Sequence, residues 1–192
     1  MDEDRATAAH VAGHAVVGEV MGFECLGLTI RWTEQHLGVC RWPAMPETVF
    51  RQLQFQSYVP SDPQFEEVKN WVVQRIKSYL AGALAELRVT GEYNLAWMTT
   101  DVNMISVITR NIFGAKGPDF DEQLTSEIYY DVDLGVEIED LTRVVQRARE
   151  RWDEQVQAIL AQNLHWVDAV IELLLEHKTI SGDQVRSAKP LN

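Results

Sequence analysis

The chain has 192 residues, which is the length of one domain and enough to bury a core. It carries 29 Asp and Glu against 17 Lys and Arg, so its net charge is −12. Because binding to nucleic acid or to anionic lipid depends on clustered Lys and Arg, this acidity argues against both kinds of partner.

Cysteine content and the N-terminal sequence point to a cytoplasmic protein. Cys25 and Cys40 are too few for a disulfide-rich scaffold, and we expect free thiols. The N-terminal MDED is acidic where a signal peptide is basic. No apolar run reaches the ~20 residues that a membrane helix needs. A Walker A phosphate loop is missing, so we expect no ATP binding.

The first predicted element is an alanine-rich helix, which Asp2 or Asp4 can cap and which Gly22 ends after about Met21. Two apolar, β-branched segments follow, CLGLTIRW and LGVCRW, and the polar stretch TEQH joins them. Such a pair of segments predicts a β-hairpin. The prolines in residues 43–64 then indicate a connection with at most short ordered pieces.

The middle of the chain is predicted to be helical. Apolar residues at three- and four-residue steps predict a helix over about 63–90, which Gly91 would end. A further helix is predicted over about 100–113, with Thr100 as its N-cap. Residues 114–134 are acidic and irregular in pattern.

The C-terminal part, from about residue 136, is predicted to be helical as far as His177, with a break near Asn163. A last short helix is predicted to start at Ser181. The fold class is therefore mainly α with a small β-hairpin, and residues 1–192 are predicted to form a single domain.

One pair of residues in the first helix suggests chemistry. His10 and His14 have the spacing of the H-E-x-x-H zinc motif, but Val11 stands in place of its glutamate. Residues four apart share a helix face, with Cβ atoms about 5–6 Å apart, so two imidazoles can bind one ion. Taken alone, this spacing favours two ordinary core or polar-face histidines.

A resemblance changes that balance. HVAGHAVVG resembles HEAGHAVVG, the zinc-binding helix of the peptidase domain in FtsH-type ATP-dependent metalloproteases. Four later segments resemble that family in the same order, over about residues 5–187: LTIRWTEQHLGV, LAGALAELRVTG, TTDVNMISVITRNIFG and VQAILAQNLHWVDAVIELLLEHKTISGDQV. The resemblance implies an FtsH-peptidase-like helical fold. It also implies a zinc site whose ligands are His10, His14 and Asp101.

The segment HLGVCRW is expected to be an edge strand beside the metal. Leu37, Gly38 and Val39 would then pair with an extended peptide by β-addition, and Gly38 would leave room for the peptide backbone. The alternative is that this strand completes a small sheet or pairs with a second subunit.

Val11 is the departure that bears on activity. The family's glutamate is expected to take a proton from the attacking water and to pass it to the leaving amine. Valine can do neither, and loss of a general base typically lowers the rate about 10²–10⁴-fold. Glu86 and Glu19 are weak candidates to replace the base. Glu86 could instead be a partner that holds a histidine N–H, and for Glu19 the alternative is a solvated helix face.

We therefore favour a degenerate zinc peptidase domain, a pseudoenzyme that keeps Zn²⁺ and binds a polypeptide or a protein partner. Two alternatives stay open. One is an active zinc metalloendopeptidase with a displaced base. The other is a structural or interaction module without metal. Metal content distinguishes the metal-free module from the two zinc-binding readings. Peptide hydrolysis then distinguishes the degenerate domain from the active peptidase. Association into a homo-oligomer is also left open.

Overall fold

A computed structural model describes residues 3–32, 38–49, 63–92, 101 and 138–190 of the chain. The predicted hairpin turn, most of the 43–64 connection and the irregular segment 114–134 lie outside the described residues. The same holds for the predicted helix over 100–113, except for Asp101, which is helical.

Long helices dominate the described residues, and they confirm a mainly α fold. The helices are α1 (Glu3–Val20), α2 (Pro63–Thr90), α3 (Ile138–Gln162), α4 (Leu164–His177) and α5 (Gly182–Ser187). Gly22 and Gly91 follow α1 and α2 with φ angles of 86° and 76°, the left-handed conformation that commonly ends a helix. The predicted stops at both glycines are confirmed, as is the break at Asn163.

Ser181 starts α5, as predicted. Its side chain accepts a hydrogen bond from the Gln184 N–H, while the Gln184 side chain accepts one from the Ser181 N–H. This reciprocal pair is a capping box, which satisfies two backbone donors at the start of a helix.

Among the described residues, three strands form an antiparallel sheet beside the helices. Its strands are β1 (Gly27–Thr29), β2 (Val39–Arg41) and β3 (Thr179–Ser181), in the order β2-β1-β3. Leu28 of β1 lies opposite Cys40 on one side and Ile180 on the other. The predicted hairpin is confirmed as β1 and β2. The sequence analysis missed β3, because three residues directly after a helix show no alternation to recognise.

Helix α1 lies in the core. It is buried from Ala6 to Gly18 on all its faces, and it packs against α4 and the sheet. Alanine and glycine make this close packing possible, since a Cβ on Gly13 would lie 2.6 Å from the Ala85 Cβ and even closer to the Ala81 carbonyl oxygen. Helix α4 contributes large apolar side chains, among them Trp166 and Ile171.

The chain forms two compact units. The first comprises Met1–Pro43, Lys77–Met98 and Trp152–Asn192, and the second comprises Ala44–Ile76 and Thr99–Arg151. The first unit contains the whole sheet, α1, α4 and α5. The single domain predicted from the sequence stays a prediction.

No single helix in the described part of the chain is long and apolar enough to cross a membrane. Arg149–Gln162 and Leu164–His177 reach the required length and composition only as a pair, and they meet at a bend of 74°.

Neither Cys25 nor Cys40 forms a disulfide bond among the described residues. Cys25 is buried, and the Cys40 side chain hydrogen-bonds to it. This hydrogen bond lowers the pKa of the Cys25 thiol below its usual value, although burial acts in the opposite direction.

Glu19 links α1 to the C-terminal end of the chain, which corrects the expectation of a solvated helix face. Its Oε1 accepts hydrogen bonds from the Cys25 N–H at 2.7 Å and from Arg186 Nη1 at 3.0 Å. The Glu19 side chain is only 12% exposed. The sequence could not distinguish Glu19 from a surface carboxylate, because its partner Arg186 is 167 residues away along the chain.

We predict that Glu19→Ala destabilises the protein, because the N–H of the buried Cys25 loses its acceptor. Loss of such a partner costs about 1–3 kcal/mol, which chemical denaturation would measure. Glu24→Ala is the matched control, since Glu24 lies 3.6 Å from the same Arg186 with a side chain that is 61% exposed. The control should change the free energy of unfolding by about 0.5 kcal/mol or less. Equal effects of the two substitutions would contradict this role of Glu19.

Candidate metal centre

Helix α1 presents its two histidines side by side in a buried place. His10 and His14 are each 6% exposed. Their ring centroids are 4.6 Å apart, and the ring planes are nearly perpendicular, at 89°. The one-turn spacing in the sequence therefore becomes a pair of adjacent imidazoles that are shielded from solvent.

Helix α2 holds both rings through the same ring atom. His10 Nδ1 lies 2.9 Å from Glu86 Oε2, and His14 Nδ1 lies 2.8 Å from the Ser78 carbonyl oxygen. A carbonyl or a carboxylate oxygen only accepts hydrogen bonds, so each Nδ1 carries the hydrogen and donates it. In the neutral ring, Nε2 is then the atom with the lone pair. Metal-binding histidines are characteristically oriented in this way.

Ser78 and Glu86 are themselves well fixed. They are 2% and 3% exposed, and the Ser78 hydroxyl also donates to the His14 carbonyl oxygen at 3.2 Å. Sequence reasoning missed Ser78, because its contribution is a backbone carbonyl that any residue could supply. For Glu86 the sequence suggested two roles, a replacement base or a partner that holds a histidine N–H. The observed contact is with Nδ1, on the side of the His10 ring away from Nε2, and this favours the supporting role over that of a base.

Asp101 completes a set of three candidate ligands. One ligand atom from each of His10, His14 and Asp101 lies within 4.8 Å of the others. Ligand atoms at 2.0–2.1 Å from a tetrahedral zinc ion are about 3.3 Å apart, so these atoms are at most about 1.5 Å further apart than zinc requires. Two imidazoles and one carboxylate are also the donor set of catalytic zinc sites that keep a fourth position open. The residues fit a zinc ion.

Val11 lies between the two histidines in sequence and is 2% exposed. A Cβ on Gly38 would lie 3.0 Å from Val11 Cγ1 and 2.6 Å from Thr7 Cγ2. Helix α1 therefore lies close to Gly38 on the side to which a Cβ would point, and this approach favours glycine at the position.

Strand β2 includes Val39, the last of the three residues predicted to bind a peptide. Among the described strands, β2 lies at one edge of the sheet, and Val39 is half-buried. Leu37 lies outside the described residues. The docking of a peptide on Leu37, Gly38 and Val39 stays a prediction.

Comparison with known proteins extends the likeness to nearly the whole chain. No family model matches it. It is 25% identical over 199 residues to the ATP-dependent zinc metalloprotease FtsH of Thermotoga maritima, and 24% identical over 200 residues to the protein of the same name from Haemophilus influenzae. These alignments cover 96% of this chain but only 30% and 29% of the two relatives. The chain is thus similar, at low identity, to less than a third of an FtsH zinc metalloprotease.

We predict that Glu86→Ala weakens zinc binding about 10–100-fold, which is the usual effect of removing the partner that orients a metal-binding histidine. Glu86→Gln should retain much of the affinity, because its amide oxygen can still accept from His10 Nδ1. Competition with a chromophoric zinc chelator would measure both affinities.

The matched control for this prediction is Glu92→Ala, which removes an exposed carboxylate just beyond α2. It should leave zinc affinity unchanged. The supporting role of Glu86 would be wrong if a folded Glu86→Ala protein bound zinc as tightly as the unmodified protein.

Proposed function

We propose that the chain is a zinc-metallopeptidase-like domain of the FtsH type, which binds zinc and a polypeptide or protein partner but has lost most of its hydrolytic activity. The observation that carries this proposal is the paired orientation of His10 and His14, whose Nδ1 atoms are both held by buried acceptors on α2. The proximity of Asp101 supports it, as does the likeness to FtsH zinc metalloproteases.

The division between metal binding and catalysis follows from the side chains. Zinc, when bound, would supply Lewis-acid chemistry that polarises a carbonyl group and acidifies water. His10, His14 and Asp101 would hold it. Val11 offers no atom that can accept or return a proton, so the chain lacks at this position the group that general-base catalysis requires. Because the missing glutamate is not a ligand of this set, its loss leaves the donor atoms intact.

The two glutamates that the sequence suggested as weak substitutes for the base, Glu86 and Glu19, are not placed to act as one. Glu86 is hydrogen-bonded to His10 Nδ1, and Glu19 is paired with Arg186 and the Cys25 N–H. These contacts support a degenerate domain over an active peptidase with a displaced base. We further propose that the domain works in the cytoplasm and needs no ATP of its own.

The polypeptide would dock on β2. Among the described strands, β2 pairs with β1 on one side, and an extended peptide would add to its other side. The strand begins beside Gly38, which contacts the helix that carries both histidines. A peptide on this edge would therefore run close to the proposed zinc ion.

We predict that the purified protein binds one zinc ion per chain. His14→Ala should abolish this binding, because only two of the three protein ligands remain. Metal analysis after dialysis would measure the stoichiometry. His177→Ala, which removes an exposed histidine at the end of α4, should retain the zinc. A folded protein that takes up no zinc would leave the metal-free interaction module as the better account.

We predict that Val11→Glu gains zinc-dependent cleavage of an unfolded protein such as casein, because it restores a carboxylate between the two histidines. Glutamate is also a better helix former than valine. A chelator should abolish the cleavage, as should a second substitution, His14→Ala. A gel or fluorescence assay of casein fragments would measure the activity.

The matched control for this prediction is Val11→Gln, which has nearly the same shape as Val11→Glu but no basic group. It should remain inactive. If Val11→Glu folds and binds zinc but does not cleave casein, loss of the base does not explain the lack of activity. The packing of position 11 against Gly38 would then be the first obstacle to examine.

A further inference from the structure

Gly82 lies against the ring of His14. A Cβ at this position would lie 2.5 Å from His14 Nε2 and 2.8 Å from Nδ1, where ordinary contacts are 3.4–4 Å. An alanine here would therefore overlap the ring itself. No flexible chain end could move aside, because the overlapping atoms belong to a rigid imidazole that is 94% buried.

The backbone of α2 does not itself require this glycine. Among the described residues, the glycines with positive φ are Gly22 and Gly91, so Gly82 has an ordinary helical conformation. Glycine is one of the poorest helix formers, and alanine is the best. Gly82 thus makes α2 less stable than alanine would, but it leaves space for the His14 ring.

Gly82 also lies on the stripe of α2 that faces both histidines. Ser78, Gly82 and Glu86 follow one another at four-residue steps, which places them on the same helix face. Ser78 accepts from His14 Nδ1 and Glu86 accepts from His10 Nδ1, one turn on either side of Gly82. Tyr79 bounds the His14 ring edge-on, with centroids 5.9 Å apart.

We propose that Gly82 is a positioning residue of the metal centre. Its missing side chain lets the His14 ring lie flush against α2, where the Ser78 carbonyl can hold Nδ1 and so direct Nε2 toward the ion. Gly82 acts through His14 and does not itself touch the metal. This inference rests on the proposed zinc binding, and it assigns a role to a residue that carries no chemical group.

A double-mutant cycle between Gly82 and His14 tests the inference. Gly82→Ala should weaken zinc binding at least about 10-fold, the lower end of the range for partners of metal-binding histidines. It should also lower the melting temperature of the zinc-free protein. In a His14→Ala background, the same Gly82→Ala substitution should leave the melting temperature unchanged or raise it, because the ring is gone and alanine favours the helix.

Each outcome of the cycle decides a separate point. Unchanged zinc affinity in Gly82→Ala would overturn the inference, as would an equal loss of melting temperature in both backgrounds. If Gly82→Ala fails to fold, a folded double variant supports the inference, and an unfolded one overturns it. If the unmodified protein binds no zinc, the proposed function fails and so does a metal role for Gly82. The dependence of the melting temperature on His14 would then still report whether the ring needs this space.

Discussion

The close approach of α1 to the second half of α2 is the constraint on which the rest of the structure depends. Small residues permit it on both helices, with Gly13 against Ala81 and Ala85, and Gly82 against His14. At this separation the α2 backbone and the Glu86 carboxylate reach the two imidazoles directly. A wider crossing would leave two buried imidazole N–H groups without acceptors, at a cost of about 1–3 kcal/mol each. The contact between α1 and α2 therefore sets both the packing of α1 and the orientation of the two histidine rings.

This arrangement separates the two candidate histidine ligands from the position of the missing base. Both rings are oriented by hydrogen bonds at Nδ1, and neither of these bonds involves position 11. The Val11 side chain instead packs toward Gly38 at the start of β2. A domain that exchanged its base for an apolar residue could thus keep its core and its donor set. For this reason we propose a domain that keeps its metal and has lost most of its activity.

Much of the fold could be predicted from the sequence, because its signals are local. Gly22, Gly91 and Ser181 mark helix ends by their own conformational preferences, and the hairpin follows from two β-branched segments around a polar turn. The pair His10 and His14 was also visible, but its meaning came from resemblance and not from spacing. What could not be predicted depends on contacts between distant residues. The pairing of β3 with β1, the Glu19–Arg186 pair and the Ser78 carbonyl are all of this kind.

The central claim is that His10 and His14 bind zinc through Nε2, together with Asp101. A crystal of the protein grown with zinc and measured at the zinc absorption edge tests it most directly, since the anomalous signal locates the metal. The account predicts one strong peak about 2.0–2.1 Å from both Nε2 atoms and from one Asp101 carboxylate oxygen. A zinc-soaked crystal with no peak at these residues, or with zinc bound to His10 or His14 through Nδ1, would contradict it.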